Sequence, residues 1–387
     1  MKKVLLIVIF LAIISIVVVG AVYYWQNRKE VEADKDAPAP SASRDARFGF
    51  LSGPPGDDYK KFADTDADFI RPHPEPFIWG GMQERKDSEI DFGDSDALVK
   101  EAQKYDLNVL ATLMPYAEWD QIERKDKESC KVKDEFSGYG KSKLLGQYRC
   151  SPHDWAAYEE WVKAVVERYD GDGTKDMPGL TTPTKYWEVN NEPDLKPPPG
   201  EEEGLRFYVG GPSGYGQLLK KTYLAIKEAE SQAKVLIAGA AGGNDEFLDF
   251  YRELFADKEV KDYFDIANVH CISNDDYQSF NVEPYKKMLA EFQIDKPIWV
   301  TEAEAFISAD PDMNAAQVKA STVKALELGA EKIFYTSLNF EISPGKPGPG
   351  GLGPEYPTDE LVERDPLLDG DKPIEAFKRI FQSASTD

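Results

Sequence analysis

Two short stretches of this 387-residue chain gather groups able to move protons or attack an electrophile. The first, "YWEVNNEP", places Glu192 after a pair of asparagines and before Pro193; the second, "PIWVTEAE", ends in Glu302 and Glu304. A carboxylic acid that protonates a leaving oxygen, opposite a carboxylate that attacks the anomeric carbon or activates water, is the equipment of glycoside hydrolysis. A single glutamate at a strand end is more often a rim charge in a salt bridge. The chemistry therefore requires a fold that makes Glu192 and Glu302 face each other.

Both stretches end strand-like runs. Pro193 has no N–H for a sheet ladder, so the strand that carries Trp187 and Val189 must break there and project Glu192 from its end. Eight such runs occur: "RFGFLS", "DFIRPH", "LNVLATLMP", "KYWEVN", "KVLIAGA", "FDIANVHCI", "PIWVTEA" and "KIFYTSL". Helical patterns separate most of them, as in "HDWAAYEEWVKAVVERY", where Trp155, Tyr158, Val162, Val165 and Tyr169 form one apolar face. Eight strands alternating with helices predict a single α/β (β/α)8 TIM barrel with long loops at the C-terminal face of the strands, where functional groups collect. A doubly wound open sheet is the rival, but no G-x-G-x-x-G turn follows the first strand.

Residues 1–28 read as a membrane anchor: Val4 to Trp25 carries no charge and is long enough to span a bilayer, with Lys2 and Lys3 ahead of it. A cleaved signal peptide is the alternative, although Val18-Val19-Gly20-Ala21 makes a poor cleavage site. Residues 29–46, charged and rich in Ala, Pro and Ser, read as a disordered tether, and residues 47–387 as the barrel domain. That organisation places the domain outside the cytoplasm, membrane-tethered, or secreted if the anchor is removed. In such a compartment Cys130 and Cys150 are the candidate disulfide, with two unpaired thiols as the alternative; Cys271 lies in an apolar run. A net charge of -24 argues against nucleic-acid binding. The three histidines form no H-x-H or H-E-x-x-H pattern, so no metal is expected, and no nucleotide fingerprint implies a cofactor. Oligomeric state leaves no signature.

"WEVNNEP" and "KPIWVTEAE", set at the ends of the fourth and seventh candidate strands, resemble the clan A retaining glycoside hydrolases, which are built on (β/α)8 barrels. The wording is nearest the branch that includes β-xylosidases and iduronidases, with the cellulase-like branch second, and the strand-helix rhythm extends the resemblance over most of Arg47 to Gln382. The resemblance implies Glu192 as general acid/base, Glu302 as nucleophile and Asn191 as hydrogen-bonding partner of a sugar hydroxyl. It makes Arg71 the rim arginine that would hold Glu302 ionised, and His270 a group that touches substrate or orients Glu302. Glu304 remains the second candidate nucleophile, and Glu188 reads as a buried, paired group behind the site. Trp79, Tyr116 and Trp119 are candidate sugar platforms or local loop core. The chain departs from the clan in lacking a tyrosine directly after His270, for which Tyr277 is the candidate substitute, and a tryptophan in the eighth strand, where Tyr335 or Phe340 would have to stack on a sugar. Those departures keep open a second reading, a catalytically inactive carbohydrate-binding or scaffold protein on the same barrel. Either way the expected partner is a carbohydrate.

Overall fold

The computed structural model describes residues 45–53, 59–133, 145–197, 204–271, 279–304, 310–340 and 373–384. Val4 to Trp25, residues 29–44 of the tether and Tyr277 lie outside them, while Asp45 and Ala46, read as the end of the tether, begin the first strand. Among the described residues no helix is long and apolar enough to cross a membrane.

The eight expected runs are all strands: β1 (Asp45–Ser52), β2 (Ala67–Pro72), β3 (Asn108–Leu113), β4 (Tyr186–Val189), β5 (Lys234–Ile237), β6 (Ala267–His270), β7 (Ile298–Ala303) and β8 (Ala330–Tyr335). They pair in parallel in the order β5-β4-β3-β2-β1-β8-β7-β6. Isolated parallel bridges, Leu236 to Ile266 and Ala240 to Val269, join β5 to β6, so the sheet curls into a nearly closed barrel rather than an open sheet.

Side chains alternate along a strand, so each strand sends every second residue inward. At the bottom of the barrel these are Phe69, Leu110, Leu236, Ile266, Trp299 and Phe334, with Tyr186 packed against them. Gly49 of β1 makes room for this floor, because a Cβ there would lie 2.6 Å from the Phe334 ring and 2.8 Å from Phe69 Cβ. Two residues further along the strands the interior turns polar, with Arg71, Thr112, Glu188, Asn268 and Thr301 all buried. The apolar floor thus supports a layer of hydrogen-bonding groups just beneath the mouth.

Outside the barrel, helices cover the opposite faces of the strands. The described ones are α1 (Tyr59–Asp64), α2 (Trp79–Met82), α3 (Gly93–Lys104), α4 (Glu118–Gln121), α5 (Trp155–Tyr169), α6 (Gly211–Ala229), α7 (Asp245–Ala256), α8 (Val282–Glu291), α9 (Pro311–Glu327) and α10 (Pro373–Ser383). Asp154 caps α5 by accepting from Ala157 N at 3.1 Å, and Tyr158, Trp161, Val162, Val165 and Val166 form its buried face. At the seam of β1 and β8, Phe48 stacks on Phe381 of α10 at 4.1 Å, and Phe50 meets Phe377 edge-on at 5.0 Å.

The expectation that Tyr335 stacks on a sugar is corrected here. Phe334 faces the barrel interior, so its neighbour Tyr335 faces outward; it is 1% exposed, 5.0 Å from the Phe377 ring, and its hydroxyl bonds the Thr322 hydroxyl of α9 at 2.8 Å. Phe340 is equally buried, stacked on Phe377 at 4.8 Å.

Candidate active site

Glu192 and Glu302 meet. One carboxylate oxygen of each, together with a ring nitrogen of His270, lies within 4.8 Å of the others at the C-terminal ends of β4, β7 and β6. Two local features bring them there. The chain leaves β4 through Asn190 and Glu192, both in the left-handed region at φ 69° and 33°, which turns it sharply at the strand end. Such conformations cost of order 1–3 kcal/mol for residues other than glycine and persist where surrounding contacts hold them. Asn190 is held by its backbone N–H, which donates to Leu113 O at 3.0 Å, and by its Oδ1, which accepts from Asn191 N and the Tyr116 hydroxyl. In β7 the register against β6 slips between Val269 and His270. That irregularity lets the consecutive residues Thr301 and Glu302 both reach the site, as a bulge re-aims side chains.

Arg71 ties the site together. It is fully buried, and its three nitrogens take three partners: Nε donates to Glu188 Oε2 at 2.7 Å, one terminal nitrogen to Glu302 Oε1 at 2.8 Å, the other to Asn191 Oδ1 at 2.6 Å. With Oδ1 engaged, the Asn191 amide NH2 is the group that residue can offer to a ligand. Glu188 is the anchor behind Arg71, since its Oε2 also accepts from Thr112 Oγ1 at 2.6 Å while Oε1 accepts from Asn268 Nδ2 at 2.6 Å.

A directional chain of hydrogen bonds connects this anchor to Glu192. Asn268 donates through Nδ2, so its Oδ1 accepts from the Thr301 hydroxyl at 2.9 Å. Thr301 Oγ1 then accepts from His270 Nε2 at 2.8 Å, which leaves Nδ1 as the acceptor facing Glu192 Oε1 at 2.7 Å. A protonated Glu192 satisfies that acceptor. Gly239 permits the arrangement, because a Cβ at that position would collide with the His270 ring.

Electrostatics agree with these proton positions. Burial pushes the Glu192 carboxyl up to about 8, with the Glu188 charge adding to it and Arg71 opposing. Burial likewise lowers His270 to about 4, keeping the imidazole neutral, with Arg71 lowering it further against the pull of Glu302 and Glu188. Glu302 differs from expectation. His270 and Arg71 favour its charged form, but burial outweighs them and its carboxyl is raised above the ordinary range. Burial comes first, since the residue is only 8% exposed, and the neighbouring Glu192 adds to it.

Two further acids stand close by. Burial raises Glu304 to about 8, with Glu302 and Glu192 adding to it, and its Oε2 is buried without a partner. Asp194 accepts from Ala241 N at 2.9 Å through Oδ2 and is raised well above the carboxylate range by burial and by Glu192. The Glu192, His270 and Glu302 atoms have the spacing of a metal triad, but the Arg71 guanidinium on Glu302 makes the group a poor cradle for a second cation.

The loop aromatics fall elsewhere. Trp79 is fully buried, its indole N–H donating to Gln83 Oε1 at 2.9 Å and its ring packed on Tyr158 and Trp161 of α5; it belongs to the layer between strands and helices and offers no sugar platform. Tyr116 is likewise buried, bracing the β4 turn. Trp119 is half-buried on α4, in a separate depression with His153 and Trp155. Cys130 and Cys150 are disulfide-bonded with Cα atoms 5.2 Å apart, and Cys271 is unpaired and buried. Sequence reading gave no role to Thr112, Asn268 or Asp194, and noted Thr301 only as part of a motif. Asn268 sits two residues before His270 in β6, so strand alternation carried the signal that it shares the interior face.

No protein-family model and no curated protein sequence matches the chain. Solved structures do match in fold. A glucosidase from Croceicoccus marinus superposes with a TM-score of 0.56 at 14% identity, over 90% of this chain and 70% of that one. A family 39 glycoside hydrolase from Bacteroides cellulosilyticus WH2 gives 0.50 at 15% identity, and a family 30 subfamily 8 xylanase from Clostridium acetobutylicum 0.50 at 16%. Each of these two covers 76% of this chain, which spans 56% and 64% of their lengths. At such identities the likeness is one of fold, a (β/α)8 barrel shared with glycoside hydrolases.

Proposed function

We propose that the protein is a retaining glycosidase that hydrolyses O-glycosidic bonds of oligo- or polysaccharides, with Glu192 as acid/base and Glu302 as nucleophile. The observation that carries this reading is the approach of Glu192 and Glu302 carboxylate oxygens to within 4.8 Å across the mouth of the barrel. Double displacement needs carboxyl groups roughly 5–5.5 Å apart, whereas inversion needs roughly 6.5–9.5 Å to admit water between them.

In the first step Glu302 attacks the anomeric carbon through the oxygen that Arg71 leaves uncovered, while Glu192, holding its proton against His270 Nδ1, gives it to the departing oxygen. The Asn191 amide bonds the hydroxyl beside the reacting carbon. Esterification of Glu302 removes a neighbouring negative charge, and the now ionised Glu192 accepts a proton from the water that releases the sugar. Glu302 suits the nucleophile's part better than Glu304, because the Arg71 guanidinium donates to it and favours its charged form, whereas burial and the charges of Glu302 and Glu192 push Glu304 up to about 8.

Within this proposal, the motif wording favours the branch that includes the β-xylosidases and iduronidases. We further propose that residues 1–28 anchor the chain in a membrane with the barrel extracytoplasmic, which the Cys130–Cys150 bond supports as a feature of oxidising compartments. Incubation with activated 2-fluoro glycosides across sugar types, followed by peptide mass spectrometry, tests the mechanism. A label on Glu302 is the expected result. Turnover on no member of a broad aryl-glycoside and polysaccharide panel, with glycan binding retained, would instead favour the inactive carbohydrate-binding reading.

A further inference from the structure

A cavity of about 580 Å³, lined by Trp119, Trp155, Lys86, Glu123, His153, Asp154 and Asp120, lies apart from the Glu192–Glu302 pair. Its walls are the segment that follows β3, the turn that enters α5, and Lys86 from the connection after β2. These are connections at the C-terminal ends of strands, on the same side of the barrel as the site. We propose that this cavity is a second carbohydrate-binding site, which holds a neutral sugar of a glycan chain at the rim.

The cavity is built rather than incidental. The Cys130–Cys150 disulfide ties the chain just beyond Glu123 to the chain just before His153, two of the three wall segments. Asp120 bolts them a second time, its two oxygens accepting from His153 N and Asp154 N at 2.7 Å each, and Gln121 Nε2 donates to Cys150 O and Ser151 O. Trp119 is fixed by its N–H donating to Gln83 O at 2.8 Å and by the Trp79 ring at 4.9 Å. Walls held in this way bind without first paying for ordering.

The lining selects the ligand. Trp119 and Trp155 are half-buried and present apolar ring surface, against which the C–H face of a pyranose packs. Lys86 is paired with Asp154 at 2.7 Å and feels the Asp120 charge, and Glu123 also lines the cavity, so acidic groups outnumber it and a phosphate or other anion is disfavoured. A wholly apolar ligand would strand those charges. Exposed Glu123, His153 and Lys86 offer acceptors and donors suited to hydroxyl groups. The choice of a sugar over a quaternary ammonium ion, which also favours aromatic and acidic walls, rests on the glycosidase reading above.

Affinity electrophoresis of the full chain in native gels containing soluble xylan or mixed-linkage β-glucan reads binding without turnover. The wild type is expected to be retarded in at least one of them. Trp155→Ala should weaken that retardation about fivefold, the scale of one lost aromatic contact, and Trp155→Tyr should restore part of it. Turnover of a small aryl glycoside by Trp155→Ala should stay within about twofold of wild type while turnover of the polysaccharide falls. Unretarded wild type, retardation indifferent to Trp155→Ala, or displacement by tetramethylammonium at concentrations that leave glycans ineffective would overturn the proposal. Retardation that depends on Trp155 in a protein without turnover would sink the enzyme reading and leave this site standing. Circular dichroism melts of both variants separate lost binding from lost fold.

Discussion

Arg71 makes three bonds with three nitrogens, and the group that decides which of them face the reaction is Glu188. Replacement by lysine keeps the charge but loses the fork. Arg71→Lys should therefore lower kcat/KM at least about 100-fold, and leave Glu188 short of a donor at a cost of about 3 kcal/mol in stability, readable in a urea melt. Glu192 sets the basic limb of the pH profile: its acid form is lost as pH rises through about 8, so kcat/KM should fall there. Glu192→Gln should remove that limb and slow glycosides with poor leaving groups far more than activated aryl glycosides, which depart without protonation. Thr301→Val takes away the acceptor for His270 Nε2 and the donor for Asn268 Oδ1. It should displace the basic limb while Glu192 and Glu302 stay in place, as a pH profile beside the wild type would reveal. Glu192, Glu302, Asn191, Arg71 and His270 were legible because each lies at or just beyond a strand end. Asn268 and Thr112 were not, because short polar residues inside strands look the same from sequence whether they serve a network or merely fill space.

At the scale of elements, all eight strands followed from β-branched and aromatic runs closed by turn residues, and the long helices from their apolar faces. Parity was harder. Tyr335 was assigned to the cleft, yet Phe334 and not Tyr335 is on the interior face of β8, since one residue of register exchanges the two sides of a strand. Trp79, open between a sugar platform and local core, joins the core: a large aromatic after a strand can serve a cleft or a helix interface, and α5 supplies Tyr158 and Trp161 to enclose it. The β7 irregularity had no local signal at all. The segment from Trp119 to Trp155 is held by a disulfide closing a separation of 20 residues. Replacing Cys130 and Cys150 together by serine should lower stability by about 2–4 kcal/mol, measured as a shift in denaturant midpoint under non-reducing conditions.

Over the whole molecule, the buried acids make stability depend on pH in an unusual sense. Glu192 and Glu304 carry their protons in the folded state up to about 8 but release them near 4.5 when unfolded. Between those values the folded state binds more protons, so these groups favour folding at low pH and the contribution is lost as pH rises towards 8. His270 acts oppositely below its ordinary 6.5, because its folded value is about 4. The two effects compete up to 6.5, and above it the acids act alone. Thermal melts should accordingly show Tm declining from about pH 6.5 to 8, and a Glu304→Gln variant should flatten the decline.

The hydrogen bonds from Glu192 through His270, Thr301 and Asn268 to Glu188 all point one way. Their far end is a carboxylate already occupied by Arg71 and Thr112. A proton on Glu192 therefore has no sink behind it: His270 resists protonation, and beyond it every acceptor is filled. The scaffold acts as a backstop, closing the inward route and leaving the open mouth, where a glycosidic oxygen would arrive, as the direction in which the proton can go.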